Sequence, residues 1–262
     1  MYRGAVFFDM DGTLVDGSQG VLTPTQKTVE AIARLKKNHI LTGLATGRAK
    51  CYIAPETKIF DCYVTSNGAY AEVDGIEVCN NFIEKQNLER VTRYLQEQGI
   101  NYVAEGQNAC YVYDLQEPYF QQMLKNFLWS PKCFFQMGDT IPIPVNKLMV
   151  SYDSKEKLHQ FMADFGQEYD ITEQPGNQAS DVGKKGITKG YGVKKVLEYF
   201  GLKPESAYAF GDADNDLDMM SVVGNGIAMG RHTKRLEEVC CYITGTVKEE
   251  GIYCGLEHFH LI

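Results

Sequence analysis

The apolar residues of this chain fall into two rhythms. Ala5-Val6-Phe7-Phe8 is a short unbroken apolar run, the pattern of a strand buried on both faces. Thr23, Pro24 and Gln26 then have the residue types of a helix N-cap, first helical position and capping-box partner, which predicts a helix starting there. Val29, Ile32, Ala33 and Leu35 give that helix its apolar face, and Asn38 or His39 ends it. Ile40 to Ala45 predicts a second strand, and Cys62 to Thr65 a short third. Strand, helix and strand in that order is the rhythm of a doubly wound sheet.

From about residue 70 the pattern changes. The stretch from Ala71 to Val78 is centred on Asp74-Gly75, a hairpin turn signal. Helical patterns run from Asn87 to Gln98 and from Lys155 to Phe165, with strand-like runs at Ala109–Tyr113 and Lys147–Tyr152. Pro131, Pro142 and Pro144 punctuate the middle. The first rhythm returns at about residue 181. Lys189 to Phe200 predicts a helix closed by Gly201, Ala207 to Phe210 a buried strand, Ile227 to Met229 another, and Gly251 to Phe259 a last short helix. The expected fold class is α/β: a doubly wound, mostly parallel Rossmann-like core sheet from residues 1–80 and 181–262, split by an α+β domain at 81–180.

A length of 262 residues, with 44% hydrophobic and 23% charged residues, suits one large or two smaller soluble domains. No apolar run approaches the roughly 18 residues needed to span a bilayer. Met1-Tyr2-Arg3-Gly4 leads straight into the first strand, so no secretory leader is expected. The eight cysteines, at 51, 62, 79, 110, 133, 240, 241 and 254, form no CxxC and do not pair with histidines at metal-site spacing. Reduced, mostly buried thiols in a cytoplasmic protein are expected. The net charge of −8 argues against nucleic acid or an anionic membrane as partner, while leaving room for a phosphorylated small molecule.

Candidate chemistry clusters at four places. Asp9-Met10-Asp11-Gly12-Thr13 ends the first apolar run; Thr46-Gly47-Arg48 follows the second strand; Lys189 opens a helix; and Gly211-Asp212-Ala213-Asp214-Asn215-Asp216 follows the strand at 207–210. Taken singly, each has a plain reading as a solvated turn, an ordinary loop or a surface lysine. Together they sit where open α/β sheets place their ligands, beyond the carboxyl ends of strands. Clustered carboxylates repel and are expensive to bury, so something must compensate them.

With DMDGTL, ATGR, ITKG and FGDADNDLDM in this order, the chain resembles a haloacid dehalogenase superfamily phosphatase of the Cof-like group, with a C2-type cap in mid-chain. The likeness spans essentially the whole chain, and Val64-Thr65-Ser66-Asn67-Gly68-Ala69 and Glu249-Glu250-Gly251-Ile252 add family-like phrases. It implies a phosphoric monoester hydrolase using Mg²⁺, a hard cation that prefers oxygen ligands. By the resemblance Asp9 and Asp212 supply carboxylate oxygens to the metal and Asp11 its backbone carbonyl, while Asp216 acts through water or by orienting Lys189. Asp9 is implied as the nucleophile forming an aspartyl-phosphate, and Asp11 as the general acid and base. Thr46, Gly47, Lys189 and Asn215 are implied to bind the phosphoryl group. For Arg48 a structural and a supporting place are both open; Asp16 reads as a turn residue.

The second aspartate disfavours a metal-free dehalogenase. A phosphomutase on the same scaffold and a non-catalytic phosphate or nucleotide sensor are the alternatives. The flap from Thr13 to Thr23 is too short to be a cap, so the insert is expected to cover the site. Residues 82–180 hold eight Lys/Arg and thirteen Asp/Glu, a net of −5, which disfavours a polyanionic substrate. Tyr102, Tyr111, Tyr113, Tyr119 and Trp129 read as packing more readily than as substrate contacts, and His258 and His260 as surface residues. Substrate identity, and whether the chain is a monomer or homodimer, are open at this stage.

Overall fold

The computed structural model describes residues 2–53, 57–127, 129–174 and 177–262. The chain divides into two compact units, Met1–Gly47 with Ala54–Cys79 and Thr188–Ile262, and Asn80–Ile187 with Arg48–Ile53.

The first unit begins with β1 (Gly4–Phe8), α1 (Gln26–Lys37), β2 (Ile40–Ala45), β3 (Cys62–Thr65), β4 (Tyr70–Val73) and β5 (Ile76–Asn80). Asp74 and Gly75, both at positive φ, make the turn between β4 and β5, as their residue types predict. The inserted stretch follows as α2 (Lys85–Glu97), β6 (Asn101–Glu105), β7 (Cys110–Val112), α3 (Pro118–Asn126), β8 (Phe134–Gln136), β9 (Lys147–Ser151), α4 (Lys155–Phe165), β10 (Tyr169–Glu173) and β11 (Ala179–Lys184). The chain then returns through α5 (Lys189–Phe200), β12 (Ala207–Gly211), α6 (Leu217–Val222), β13 (Asn225–Ala228), β14 (Tyr242–Ile243) and α7 (Gly251–His258).

An eight-stranded sheet in the order β14-β13-β12-β1-β2-β3-β4-β5 forms the core of the first unit. It is parallel from β14 to β3 and turns antiparallel at β4. Every residue of β1 and β2 is buried, which is why those runs show no polar alternation. Ala5 and Phe7 pack with Val193, Val196 and Leu197 of α5 and Met219 and Met220 of α6. Phe8 stacks on Phe210, their ring centroids 5.3 Å apart. Each fully buried phenylalanine of β1 stabilises the core by about 1.5–3 kcal/mol.

The helix after β1 starts later than the pattern predicts. Thr25, rather than Thr23, is its N-cap: the Thr25 hydroxyl accepts from the Thr28 amide at 3.1 Å and donates to Glu250 at 2.5 Å. A cap at Thr25 gains that second partner from the residue preceding α7, and Pro24 therefore lies ahead of the helix.

The second unit holds a six-stranded sheet, β10-β11-β9-β6-β7-β8, antiparallel except for the pair β7–β8. Both faces are covered. Tyr102, Ala104, Leu148 and Val150 pack against α2 and α4, whereas Val103, Val112 and Met149 pack with Phe120 and Met123 of α3 and with Tyr52 and Trp129. Trp129 is thus a packing residue, as is Tyr102. Strand β11 runs unbroken across 180/181, and the division between the units falls after Ile187.

A buried ionic group interrupts this second face. Lys147 ion-pairs with Asp181 and with Glu105, whose Oε2 lies 3.4 Å away, and the Tyr52 hydroxyl donates to the other Glu105 oxygen at 3.0 Å. Burial, with Asp181 adding its charge, pushes the Glu105 carboxyl up to about 7 against the pull of Lys147.

Candidate active site

Strand order brings the acids together. β12, β1 and β2 are neighbours running the same way, with Phe8 level with both Phe210 and Leu44. Asp212, Asp9 and Thr46 are the first residues beyond the carboxyl ends of these three strands. The Asp9 amide extends the ladder by donating to the Phe210 carbonyl at 2.9 Å. Because the strand order moves in opposite directions on the two sides of β1, this edge is a topological switch point, where such sheets bind ligands.

Lys189 arrives from a different element. It opens α5, whose N-cap Thr188 accepts from the Tyr191 amide at 3.2 Å. Against Thr188 sits the turn Ser66-Asn67-Gly68, all three at positive φ. A Cβ at position 68 would fall 1.8 Å from the Thr188 carbonyl oxygen, so only glycine lets the turn seat the start of the helix.

The Lys189 ammonium donates to Asp9 Oδ1 at 2.5 Å and to Asp216 Oδ1 at 2.7 Å. All three side chains are almost fully withdrawn from water: Lys189 is 1% exposed, Asp216 0% and Asp9 4%. The second Asp216 oxygen accepts from the amides of Asp212 and Ala213, at 3.0 and 3.1 Å. Asp212 Oδ1 accepts from the Thr13 hydroxyl at 3.2 Å. One oxygen from each of Asp9, Asp212 and Asp216 lies within 4.8 Å of the others.

Three carboxylates therefore face one ammonium. Burial alone would deprotonate Lys189, but Asp216 and Asp9 outweigh it and hold its pKa above the ordinary value. The shortage of positive charge falls on the acids. Burial first, then Asp216 and Asp11, push Asp9 up to about 7 even though Lys189 pulls the other way. Burial, Asp9 and Asp216 push Asp212 up to about 9. A divalent cation fits this donor set: the oxygens are hard, they converge, and the cluster lacks balancing charge. Asn215 Oδ1, buried with no hydrogen-bond partner, is a further acceptor on the same loop.

This imbalance has a measurable consequence. Without a divalent cation the folded protein holds protons on Asp9 and Asp212 that the unfolded chain, with aspartates near 3.8, has already released. The folded state binds more protons, so stability falls as pH rises. Thermal melts in a chelator are expected to move down from pH 5 to pH 8.5, by an amount corresponding to a few kcal/mol. Added Mg²⁺ should flatten the trend. A flat or rising chelator series contradicts it.

The glycine between the acid motif and its flap has no substitute. Gly12 has φ +94°, and a Cβ there would lie 2.1 Å from Asp212 Oδ2. Gly12→Ala is expected to displace the Asp212 carboxylate and to cost about 1–3 kcal/mol in backbone strain. A loss of divalent-cation affinity together with a lowered melting temperature checks this; unchanged cation affinity argues against it.

The remaining sequence candidates lie on the adjoining loops. Asp11 is half-buried, and its side chain is one of the charges acting on Asp9. Thr46 is buried, its amide donating to Val64 and its carbonyl accepting from Asn67. Gly47 is half-buried and leads into Arg48, which is itself buried. Asp16 is a turn residue, its carboxylate accepting from the Ser18 amide at 2.9 Å and from Gln19 at 2.6 Å.

Two contributors went unassigned in the sequence reading. Thr13, fully buried, holds Asp212; its signal was a small hydroxyl residue just past the turn glycine. The left-handed Ser66-Asn67-Gly68 turn seats Lys189; its signal was Asn-Gly directly after a strand.

Residues 6–256 match the family model described as haloacid dehalogenase-like hydrolase. The chain is 27% identical over 264 residues to a Bacillus subtilis (strain 168) protein provisionally named phosphatase YkrA, covering 98% of each. It is 29% identical over 260 residues to a Streptococcus pyogenes serotype M6 protein provisionally named as a bifunctional phosphatase and peptidyl-prolyl cis-trans isomerase. That match takes in 98% of this chain but only 54% of the longer relative. Among solved structures, the HAD subclass IIB sugar phosphatase BT4131 superposes with a TM-score of 0.87 at 24% identity, over 99% of this chain and all of the other, a likeness of fold.

Proposed function

The chain belongs to the haloacid dehalogenase-like hydrolases, and from that premise we propose that it is a Mg²⁺-dependent phosphatase of small phosphorylated metabolites, sugar phosphates among them. The observation that carries the proposal is the buried contact of Lys189 with Asp9 and Asp216, beside Asp212, at the switch point of the sheet.

Lys189 holds Asp9 Oδ1, which leaves Oδ2 as the oxygen that attacks phosphorus. The new Oδ2–P bond forms as the bond from phosphorus to the ester oxygen breaks, giving an aspartyl-phosphate. Asp11 delivers a proton to the departing alkoxide. It then takes one from the water that attacks the same phosphorus, releasing inorganic phosphate and restoring Asp9. The Thr46 hydroxyl, the Gly47 amide and the Asn215 side chain donate to phosphoryl oxygens, and Lys189 adds positive charge there. Asp216, with both oxygens occupied, fixes the position of Lys189. Asp9, Asp212 and the Asp11 carbonyl are the groups that would hold the cation, which when bound supplies charge to offset the carboxylates and the phosphoryl oxygens.

The relatives' provisional names as phosphatases and the fold shared with a sugar phosphatase support this reading. A panel of phosphorylated metabolites, assayed for phosphate release with Mg²⁺ and with chelator, tests it. Metal-dependent release from at least one sugar phosphate or similar compound is expected. Tight binding across the panel without release would identify a sensor instead.

A further inference from the structure

The second unit carries a group of thiols that the proposed reaction does not use. Cys51 Sγ and Cys110 Sγ lie 3.4 Å apart. Cys110 is fully buried in β7, level with Glu105 of β6. Cys51 is half-buried in the 3₁₀ turn Lys50–Tyr52, and Cys133, itself half-buried, is a further thiol that acts on it. Cys51 therefore has the Cys110 sulfur in contact and an approach from solvent.

Both ends of this contact are fixed. Beside Cys51, Tyr52 donates to Glu105 and packs on Trp129 and Phe134, with ring centroids 4.9 and 5.3 Å away. Cys110 is held in register by β6 and β8. A disulfide needs its sulfurs at about 2.05 Å, so the pair has to close from 3.4 Å to form one. Nothing in the proposed phosphoryl transfer calls for two thiols packed in this way.

We propose that Cys51 and Cys110 form a peroxide-oxidisable pair whose disulfide fastens the segment Arg48–Ile53 to strand β7. Cys51 sulfur attacks one peroxide oxygen; the O–O bond breaks, one water leaves, and a sulfenic acid remains on Cys51. Cys110 sulfur then attacks the Cys51 sulfur, the S–O bond breaks, and a second water leaves. Two thiols have lost two electrons and two protons to one peroxide, which becomes two waters. The hydrogen bond with Cys110, then burial, raise the Cys51 thiol above its ordinary pKa. Cys110 is pulled down by its bond with Cys51 but raised on balance by burial and Glu105. Both stay protonated at neutral pH, so the reaction is slow there and quickens as pH rises.

The test uses the full chain treated with hydrogen peroxide, alkylated under denaturing conditions and mapped by mass spectrometry. The expected product joins the peptides holding Cys51 and Cys110, lowers the intact mass by about 2 Da, and reverts with dithiothreitol. Its rate should climb up to about tenfold per pH unit between pH 7 and 9. Cys51→Ser, at the half-buried position, should fold and lose the linkage; Cys110→Ala should lose it too. Exposed Cys241 and Cys254 serve as internal controls for oxidant access. A product joining Cys51 to Cys133 overturns the proposal. So does oxidation of Cys241 and Cys254 that leaves Cys51 and Cys110 as free thiols.

Discussion

Asp9→Asn is expected to yield a folded protein whose phosphatase turnover has fallen by at least about 10⁴-fold. The amide keeps the shape of the carboxyl group but cannot act as the attacking oxyanion. It also relieves crowding among the acids, since Asp9 is one of the charges that push Asp212 up. The variant should therefore melt no lower than the parent in chelator, and gain less from added Mg²⁺. Activity and stability move apart, which separates loss of the nucleophile from loss of the fold. Steady-state phosphate release and thermal melts with and without Mg²⁺ read both; turnover within tenfold of the parent would remove Asp9 from the reaction.

Lys189→Met should instead damage both. The ammonium is the one cation in contact with Asp9 and Asp216 among the described residues, and all three side chains are buried. Removing one partner of a buried ion pair costs about 3–5 kcal/mol, because the charges left behind have no water to solvate them. For a chain of this size that is a fall of roughly 10 °C in melting temperature. The deficit should shrink at pH 5, where the freed carboxylates take up protons, and widen toward pH 8. Melts of parent and variant at the two pH values measure it. An equal deficit at both would mean that Lys189 contributes packing rather than charge.

Much of this fold was legible because its core strands are buried on both faces. Runs such as Ala5–Phe8 and Ile40–Ala45 have no polar face to confuse the pattern, and the helices at 155–165 and 189–200 begin and end where their sequence patterns do. The insert was harder to read. Strand β6 mixes Asn101 and Glu105 with its apolar residues, and Glu105 is buried only because Lys147 and Tyr52 meet it from distant positions. Helix α3, beginning at Pro118, is only nine residues long, too short to show a full periodic face. At the site, strand position drew the acids and the lysine together as candidates, and the family resemblance implied their roles. The sequence could not show that Asp216 spends both oxygens on Lys189 and two amides, or that Thr13 reaches Asp212, because those contacts join residues 27 and 199 positions apart.

Acid quenching of the enzyme during turnover of p-nitrophenyl phosphate with Mg²⁺, followed by peptide mapping, tests the central claim most directly. The account predicts a phosphoryl group of about 80 Da on the peptide containing Asp9, removed by mild alkali and missing from Asp9→Asn. Turnover that proceeds with no phosphorylated peptide, or with the label on another residue, would contradict it.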